Sequence, residues 1–370
     1  MISLSLYLYL SEPEKASLST AATDKVLDFL ELVFIETKFY TIFSVLFGIG
    51  FSILMTRAEA KGMVFRRFFL RRAFLLYLIG LAHGVLFWHN DILQSYAMCG
   101  MLLLPFVRAT NRTILIAAAI ALLMPAVLSV SGVLPHGTFL GPRQVLFERF
   151  GFTSDARVAI WTEGSVTDII LLNASSWFGQ FDYVMTSGMI FKIYGNFLIG
   201  LYIGRHEFHK HLSRFAPTLG RVAVFGLTLG IPLNVIYART YESESPLHAL
   251  VSTVAILPLS AGYAALVAWL WTGPSGSVLG QAFAPIGRMA LTNYVGQSAI
   301  CMLIFRSVGL GLGGTIGPTV YLPLGAAIYV VQLVASRAWL GRFQYGPLEW
   351  LWRMLTYGTR IRLSKGAAAE

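Results

Sequence analysis

Residues 39–56, 73–90, 92–107, 113–142, 222–238, 245–287 and 307–336 contain not one Asp, Glu, Lys or Arg. A hydrocarbon core of about 30 Å requires about 20 successive apolar residues of a helix. Runs of this length and number leave one fold class, an all-α polytopic membrane helical bundle. Composition agrees. Charged residues make up 12% of the chain and hydrophobic residues 56%, against roughly 25% charged in an ordinary soluble protein. A soluble enzyme, a disulfide scaffold and a disordered tail are excluded.

About nine spans follow, near 39–56, 73–89, 92–107, 113–131, 184–204, 217–238, 248–271, 288–306 and 319–337. The net charge of +10 raises nucleic acid as a partner, so the placement of the charges decides. With the Arg57 end taken as cytoplasmic, 19 Lys and Arg lie inside and 8 outside, and Lys192 remains within a span. The acids run the other way, 4 inside and 14 outside. This is the positive-inside asymmetry of a membrane protein, reinforced by attraction to anionic lipid. The expected partner is the bilayer, with a cytoplasmic C-terminus and no nucleic acid.

Three segments fall outside the hairpin pattern. Residues 1–38 read as a partial first span plus an outer interfacial helix. Met1–Leu10 has no basic n-region or cleavage site, and ten residues cover only about 15 Å. The helix carries the stripe Val26, Phe29, Leu30, Val33 and Phe34. Within the 39–337 bundle, the long outer loop 132–183 has room for two surface helices. Residues 338–370 form an amphipathic tail on the cytoplasmic face, mixing Trp339, Trp350 and Trp352 with Arg342 and Arg353. Cys99 and Cys301 lie inside apolar runs and read as core residues, with no disulfide framework and no metal site.

Polar residues inside spans are where membrane proteins concentrate function. His83 lies about 15 Å along its span, near mid-membrane, where its imidazole can act as a base or bridge two helices. Asp91 follows at the outer turn. A dyad with His83 is poor geometry on this reading, because eight helical residues span about 12 Å and the turn would have to fold back. Asp91 followed by Gln94 before an apolar run is instead a capping-box pattern, and such a cap can also line an outer entrance. Asn293 and Gln297, four apart, share a helix face and complete the candidate catalytic set. Interhelical hydrogen bonding accounts for that stripe without a substrate. Lys192 needs a partner or water: Asp91, an anionic group, or the outer surface by snorkelling. Lys192, Tyr96 and Gln94 are the candidate substrate-binding residues.

Gly80/Gly84, Gly200/Gly204 and Gly226/Gly230 are small-residue pairs that let helices approach closely. Arg66, Arg67, Arg71 and Arg72 fall within seven residues. Such a cluster either anchors the inner face or holds phosphates of a nucleotide-like donor.

Five stretches resemble the YeiB-like bacterial membrane proteins. They are Lys38–Gly50, Gly80-Leu-Ala-His83, Asp91-Ile-Leu-Gln-Ser-Tyr-Ala97, Gly287-Arg-Met-Ala-Leu-Thr-Asn-Tyr294 and Phe343-Gln-Tyr-Gly-Pro-Leu-Glu-Trp-Leu-Trp352. The resemblance covers nearly the whole chain, with a C-terminal family region from about residue 205. That family is similar in fold to the transmembrane acyltransferases, which include a lysosomal glucosaminide acetyltransferase and sugar O-acyltransferases. The resemblance implies a bacterial inner-membrane protein that takes acyl-CoA or acetyl-CoA from the cytoplasm. The acyl group would pass to an acceptor such as a sugar on the far side, and a second copy of the chain is a further expected partner. His83 would be the base, oriented by Asn293 or Gln297, with Arg67, Arg71, Arg72 and Arg288 near the donor phosphates. The chain departs from the pattern at two points: it lacks the Asp-x-x-Arg-Gly span that usually opens the family, and no histidine precedes His83. Two other classes stay open. Lys192, His83 and the Asn293/Gln297 stripe could line the path of a transporter or channel, with Pro232 and Pro258 breaking helices around a site. The remaining class is a non-catalytic membrane partner.

Overall fold

A computed structural model describes residues 20–241, 246–274, 276–313 and 315–365. The expected partial span Met1–Leu10 lies outside these residues. Fifteen α-helices are described: α1 (Ala21–Phe34), α2 (Lys38–Ala60), α3 (Phe65–Leu86), α4 (Leu93–Leu102), α5 (Asn111–Ser131), α6 (Gly141–Phe150), α7 (Ser154–Glu163), α8 (Val166–Thr186), α9 (Met189–Arg205), α10 (Ala216–Arg239), α11 (Pro246–Thr272), α12 (Gly276–Arg288), α13 (Ala290–Phe305), α14 (Pro318–Arg342) and α15 (Pro347–Tyr357). The described extended pairing is a single bridge, Phe343 with Ser364. The all-α bundle is therefore the observed fold.

Six helical segments are long and apolar enough to cross a bilayer, and a seventh is added if α8 and α9 form one bent span. Three of the nine expected spans take other shapes. Region 92–107 ends its α-helix at Leu102 and tightens into a 3-10 turn over Leu104–Arg108, where Pro105 withdraws a backbone donor. Region 288–306 forms the 16-residue α13, which rises only about 24 Å. Region 184–204 is broken between α8 and α9 by a 62° bend. Gly188 at this break has φ +70°, and a Cβ there would lie 2.8 Å from the Pro125 backbone. The outer loop holds α6, α7 and most of α8, one helix more than its length suggested.

Helix α9 lies against α2 and α5, α10 pairs with α11, and α3 forms a hairpin with α4. Phe51, Phe65, Phe69, Phe197 and Leu201 fill the centre of the first group. The small residues work as expected: a Cβ on Gly204 would meet Ser52, and one on Gly230 would meet Leu259, both closer than 3 Å. Helix α1 is amphipathic in an unexpected sense. Val26, Leu30 and Phe34 face outward, while Asp24 and Glu31 are buried against the bundle. Tyr321 donates to Glu31 Oε2 at 3.0 Å.

The acids explain how helices start inside this bundle. The first amides of a helix have no intrahelical acceptor, and lipid supplies none. Asp24 Oδ1 accepts the Thr319 amide of α14 at 2.8 Å. Glu349 Oε1 accepts the Leu291 and Thr292 amides of α13 at 2.7 and 3.0 Å. Asp91 Oδ2 accepts the Gln94 amide of α4 at 2.9 Å. In each case a carboxylate from outside the helix proper meets the amide of the second residue of the helix.

Candidate functional site

The chain between α3 and α4 does fold back. His83 Nδ1 lies 3.0 Å from Asp91 Oδ1, although about 12 Å of helix would separate residues eight apart. The cause is local. Helix α3 stops at Leu86, and Gly80 leaves the space that the returning turn occupies. A Cβ on Gly80 would lie 2.5 Å from Asp91 Oδ2 and 2.9 Å from the Gln94 amide. The expectation that distance keeps His83 and Asp91 apart is thus corrected. The capping reading holds for the same residue, since Asp91 contacts the imidazole and the Gln94 amide with different oxygens.

On its other side, His83 Nε2 lies 2.8 Å from Ser298 Oγ of α13. One turn earlier, Tyr294 donates to Asp91 Oδ1 at 3.1 Å, and its ring lies 4.8 Å from the imidazole. Gln94 Nε2 donates to the Gly80 carbonyl at 3.2 Å, and its Oε1 accepts Trp177 Nε1 of α8 at 2.7 Å. His83 and Asp91 are each 3% exposed and Ser298 9%. A buried serine, histidine and aspartate therefore stand in line, contributed by α13, α3 and the turn before α4. The carboxylate beside Nδ1 favours a proton there, and Nε2 can then accept from the Ser298 hydroxyl, whose other acceptor within reach is the Tyr294 carbonyl at 3.3 Å. Nδ1 and Oδ1 are close without hydrogen-bond alignment, so that contact acts through charge.

The other candidate residues distribute differently. Asn293 Nδ2 donates to Ser336 Oγ at 2.9 Å and to the Ile286 carbonyl at 3.2 Å, while Gln332 donates to the Asn293 carbonyl. Asn293 thus ties α13 to α14 and does not orient His83. Gln297 is exposed on the same helix. Orientation comes instead from Tyr294 and Ser298, the i, i+4 pair one residue further round. Tyr96 donates to the Tyr40 carbonyl at 2.8 Å and accepts from Ser44 at 3.1 Å, joining α4 to α2. Lys192 Nζ donates to Ser252 Oγ at 2.9 Å and not to Asp91. It borders a small void with Tyr40, Thr41 and Asn196.

The arginines separate as well. Arg67 and Arg71 are exposed, and Arg71 packs over Gly358. Arg288 donates to the Gln344 carbonyl at 3.1 Å. Arg72 alone of the four lines a cavity of about 170 Å³ at the basic end of the bundle, together with Arg57, Lys61 and Arg353. Sequence reading missed the last three as partners of Arg72 because they come from other elements, α2 with its C-cap and α15. Arg72 and the His83 relay lie on one helix, eleven residues and about 16 Å apart.

The segments that carried the family resemblance meet in space. Glu349 and Leu348, from the Phe343–Trp352 stretch, bond to Leu291 and Thr292 of the Gly287–Tyr294 stretch. The relay joins Gly80–His83 to Asp91–Ala97. Residues 203–359 match a family model described as "Protein of unknown function (DUF418)". The uncharacterized protein YxaH of Bacillus subtilis (strain 168) is 32% identical over 337 residues, covering 88% of this chain and 80% of its own. An uncharacterized 39.9 kDa protein in the amylase 3' region of Bacillus acidopullulyticus is 30% identical over 332 residues, 89% of this chain and 82% of its own. The uncharacterized protein YeiB of Escherichia coli (strain K12) is 28% identical over 349 residues, 89% and 83% respectively. No solved structure matches the chain. Matched along most of its length by relatives of this one kind, and helical and apolar throughout, the chain belongs to the YeiB-like family of membrane proteins.

Proposed function

We propose that the protein is a membrane-embedded acyltransferase, with the basic end of the bundle in the bacterial cytoplasm and the relay toward the far side. The observation that carries this reading is the line Ser298–His83–Asp91, with His83 Nε2 2.8 Å from Ser298 Oγ and Nδ1 3.0 Å from Asp91 Oδ1. A weak hydroxyl nucleophile gains reactivity from an adjacent base that a third group orients. His83 takes the Ser298 proton as Oγ attacks the carbonyl of an acyl-CoA thioester. The carbon–sulfur bond breaks, and the leaving thiolate takes that proton from His83. An acceptor hydroxyl, such as that of a sugar, then gives its proton to His83, attacks the acyl-serine, and returns Ser298 with its proton. Asp91 stabilises the imidazolium in both halves. Burial strengthens this charge interaction relative to water.

Acetyl-CoA carrying a labelled acetyl group, added to the purified full chain in vesicles, tests the first half without knowledge of the acceptor. Mass spectrometry is expected to find one acetyl adduct on Ser298 and none in Ser298→Ala or His83→Ala. An unchanged adduct level in His83→Ala, or no adduct and no thermal shift with any acyl-CoA, refutes the reading.

A transporter is the second reading, favoured by the broken α8–α9 pair with Lys192 on the turn after the break. Discontinuous helices bracket midplane sites in many transporters. Solute flux in vesicles that survives loss of the relay would support that class.

A further inference from the structure

We propose that the cavity between α2, α3 and α15 is a binding site for a phosphate group. Its lining brings together Arg57 and Lys61 from the end of α2, Arg72 from α3 and Arg353 from α15, with no carboxylate among the lining side chains. Four cations around one space of about 170 Å³ repel one another, and an anion between them relieves that repulsion. The space far exceeds the roughly 10–15 Å³ needed for a single water.

Two of the cations are held in place. The Arg72 guanidinium lies 3.6 Å over the Trp352 ring, and the indole Nε1 of the same tryptophan donates to the Arg72 carbonyl at 3.0 Å. Arg353 lies 4.7 Å over the Tyr345 ring. Stacked guanidiniums keep their planar N–H edges free and lose little freedom when they bind. Donors approaching from three elements suit a tetrahedral group with several oxygens better than a planar carboxylate, which offers two. Phe68 and Tyr357, with ring centroids 5.2 Å apart and planes tilted by 46°, form an aromatic wall beside the charges. That wall admits the carbon chain of a phosphate ester. The phosphate can come from a membrane phospholipid or from a soluble phosphate compound. The inference does not depend on the acyltransferase reading, since it concerns binding alone.

The test uses the full chain in neutral detergent at fixed ionic strength, with inorganic pyrophosphate as the soluble probe and phosphatidylglycerol as the lipid probe. Binding is read by tryptophan fluorescence and by native mass spectrometry. Wild type is expected to bind at least one probe. Arg353→Gln and Arg57→Gln are each expected to weaken that binding about tenfold, the effect of losing one charge-assisted contact. Arg353→Lys should keep part of it, and Arg112→Gln, exposed at the start of α5 and outside the cavity, should change it less than twofold. Pyrophosphate binding without a lipid adduct assigns a soluble ligand, and a lipid adduct lost in Arg353→Gln assigns a phospholipid. Equal binding by wild type, Arg353→Gln and Arg112→Gln, or binding of neither probe, overturns the proposal. Native mass spectra that also show misfolded Arg353→Gln transfer the decision to Arg57→Gln, whose side chain is exposed at the rim.

Discussion

Replacing Asp91 by asparagine removes one charge and keeps the shape of the side chain, and its effect differs sharply from that of alanine. Alanine strips the acceptor from the Gln94 amide and the Tyr294 hydroxyl, which now donate at 2.9 and 3.1 Å. Each buried donor left without a partner costs about 1–3 kcal/mol, so two cost about 2–6 kcal/mol. Asparagine can keep its oxygen toward the Gln94 amide and turn its NH2 toward Tyr294 and His83. The Tyr294 hydroxyl then rotates to accept. The imidazole also has to accept at Nδ1, so its proton moves to Nε2 and is donated to Ser298. Polar partners are restored and one charge interaction is lost, a cost of about 1 kcal/mol on the scale of a single hydrogen bond. Asp91→Asn should therefore be folded, nearly as stable as wild type, and inert in acyl-serine formation, because Nε2 can no longer accept the Ser298 proton. Chemical unfolding in detergent measures the stabilities. Nitrogen NMR of imidazole-labelled protein, with His83→Gln to assign the resonance among seven histidines, reads the tautomer. An asparagine variant as unstable as the alanine one, or one that keeps the proton on Nδ1, would refute this account of the relay.

Two further substitutions probe how the relay and the helix starts are built. Gly80→Ala places a methyl group 2.5 Å from Asp91 Oδ2 and 2.9 Å from a backbone amide, so the turn must move, and the expected cost is about 1–3 kcal/mol. The same movement should break the Trp177–Gln94 hydrogen bond, visible as a shifted tryptophan emission; an unchanged spectrum and stability would count against the close approach. Glu349→Ala removes the acceptor of two α13 amides and the Thr292 hydroxyl, with an expected loss of at least 2 kcal/mol at about 1 or more per stranded donor. Glu59→Ala, on the exposed surface, should lose almost nothing in the same unfolding assay.

The fold class was legible because the bilayer imposes one rule over some twenty residues at a time, and a charge-free run satisfies it in plain view. Span count was less legible, because a proline at 105 or a bend at Gly188 changes a helix by a few residues without changing its hydropathy. At the site, His83 and Asp91 both stand out as polar residues at the edge of an apolar run. Their contact does not, since it depends on a reversal that helical arithmetic cannot contain. The signal was present in Gly80, which reads as a helix-packing residue and in fact makes room for the turn. On α13 the eye falls on Asn293 and Gln297, the larger polar pair, whereas Tyr294 and Ser298, about 100° further round at the same spacing, face the imidazole. Rotation about a helix axis is set by packing against neighbours, and a single sequence does not state it. The basic cavity was hidden for a related reason. Four arginines in seven residues draw attention to one helix face, but an anion site needs donors from several directions, and three of the four lining cations lie outside that cluster, on α2, its C-cap and α15.

What singles out Asp91 among the three acids that start helices is the division of labour between its oxygens. Asp24, Glu349 and Asp91 all meet the amide of a helix's second residue. Asp24 gives Oδ1 to the Thr319 amide and hydroxyl and Oδ2 to Thr20. Glu349 gives Oε1 to the Leu291 and Thr292 amides and Oε2 to the Thr292 hydroxyl. Both carboxylates face only groups that stay neutral, and a structural role accounts for every contact named. Asp91 gives Oδ2 to the Gln94 amide, which fixes the carboxylate, and turns Oδ1 to a tyrosine hydroxyl and an imidazole. The cap thus places a charge beside a group able to change its own. A fold that needed only to start α4 could have used a serine or asparagine there. The residues that complete the line, Ser298 and His83, belong to separate helices, so the relay exists only once α13 has docked on the α3–α4 hairpin. Glu349, by starting α13, acts on the relay as a positioning residue about two turns of that helix before Ser298, and its loss should slow acyl-serine formation even in the fraction of molecules that remains folded.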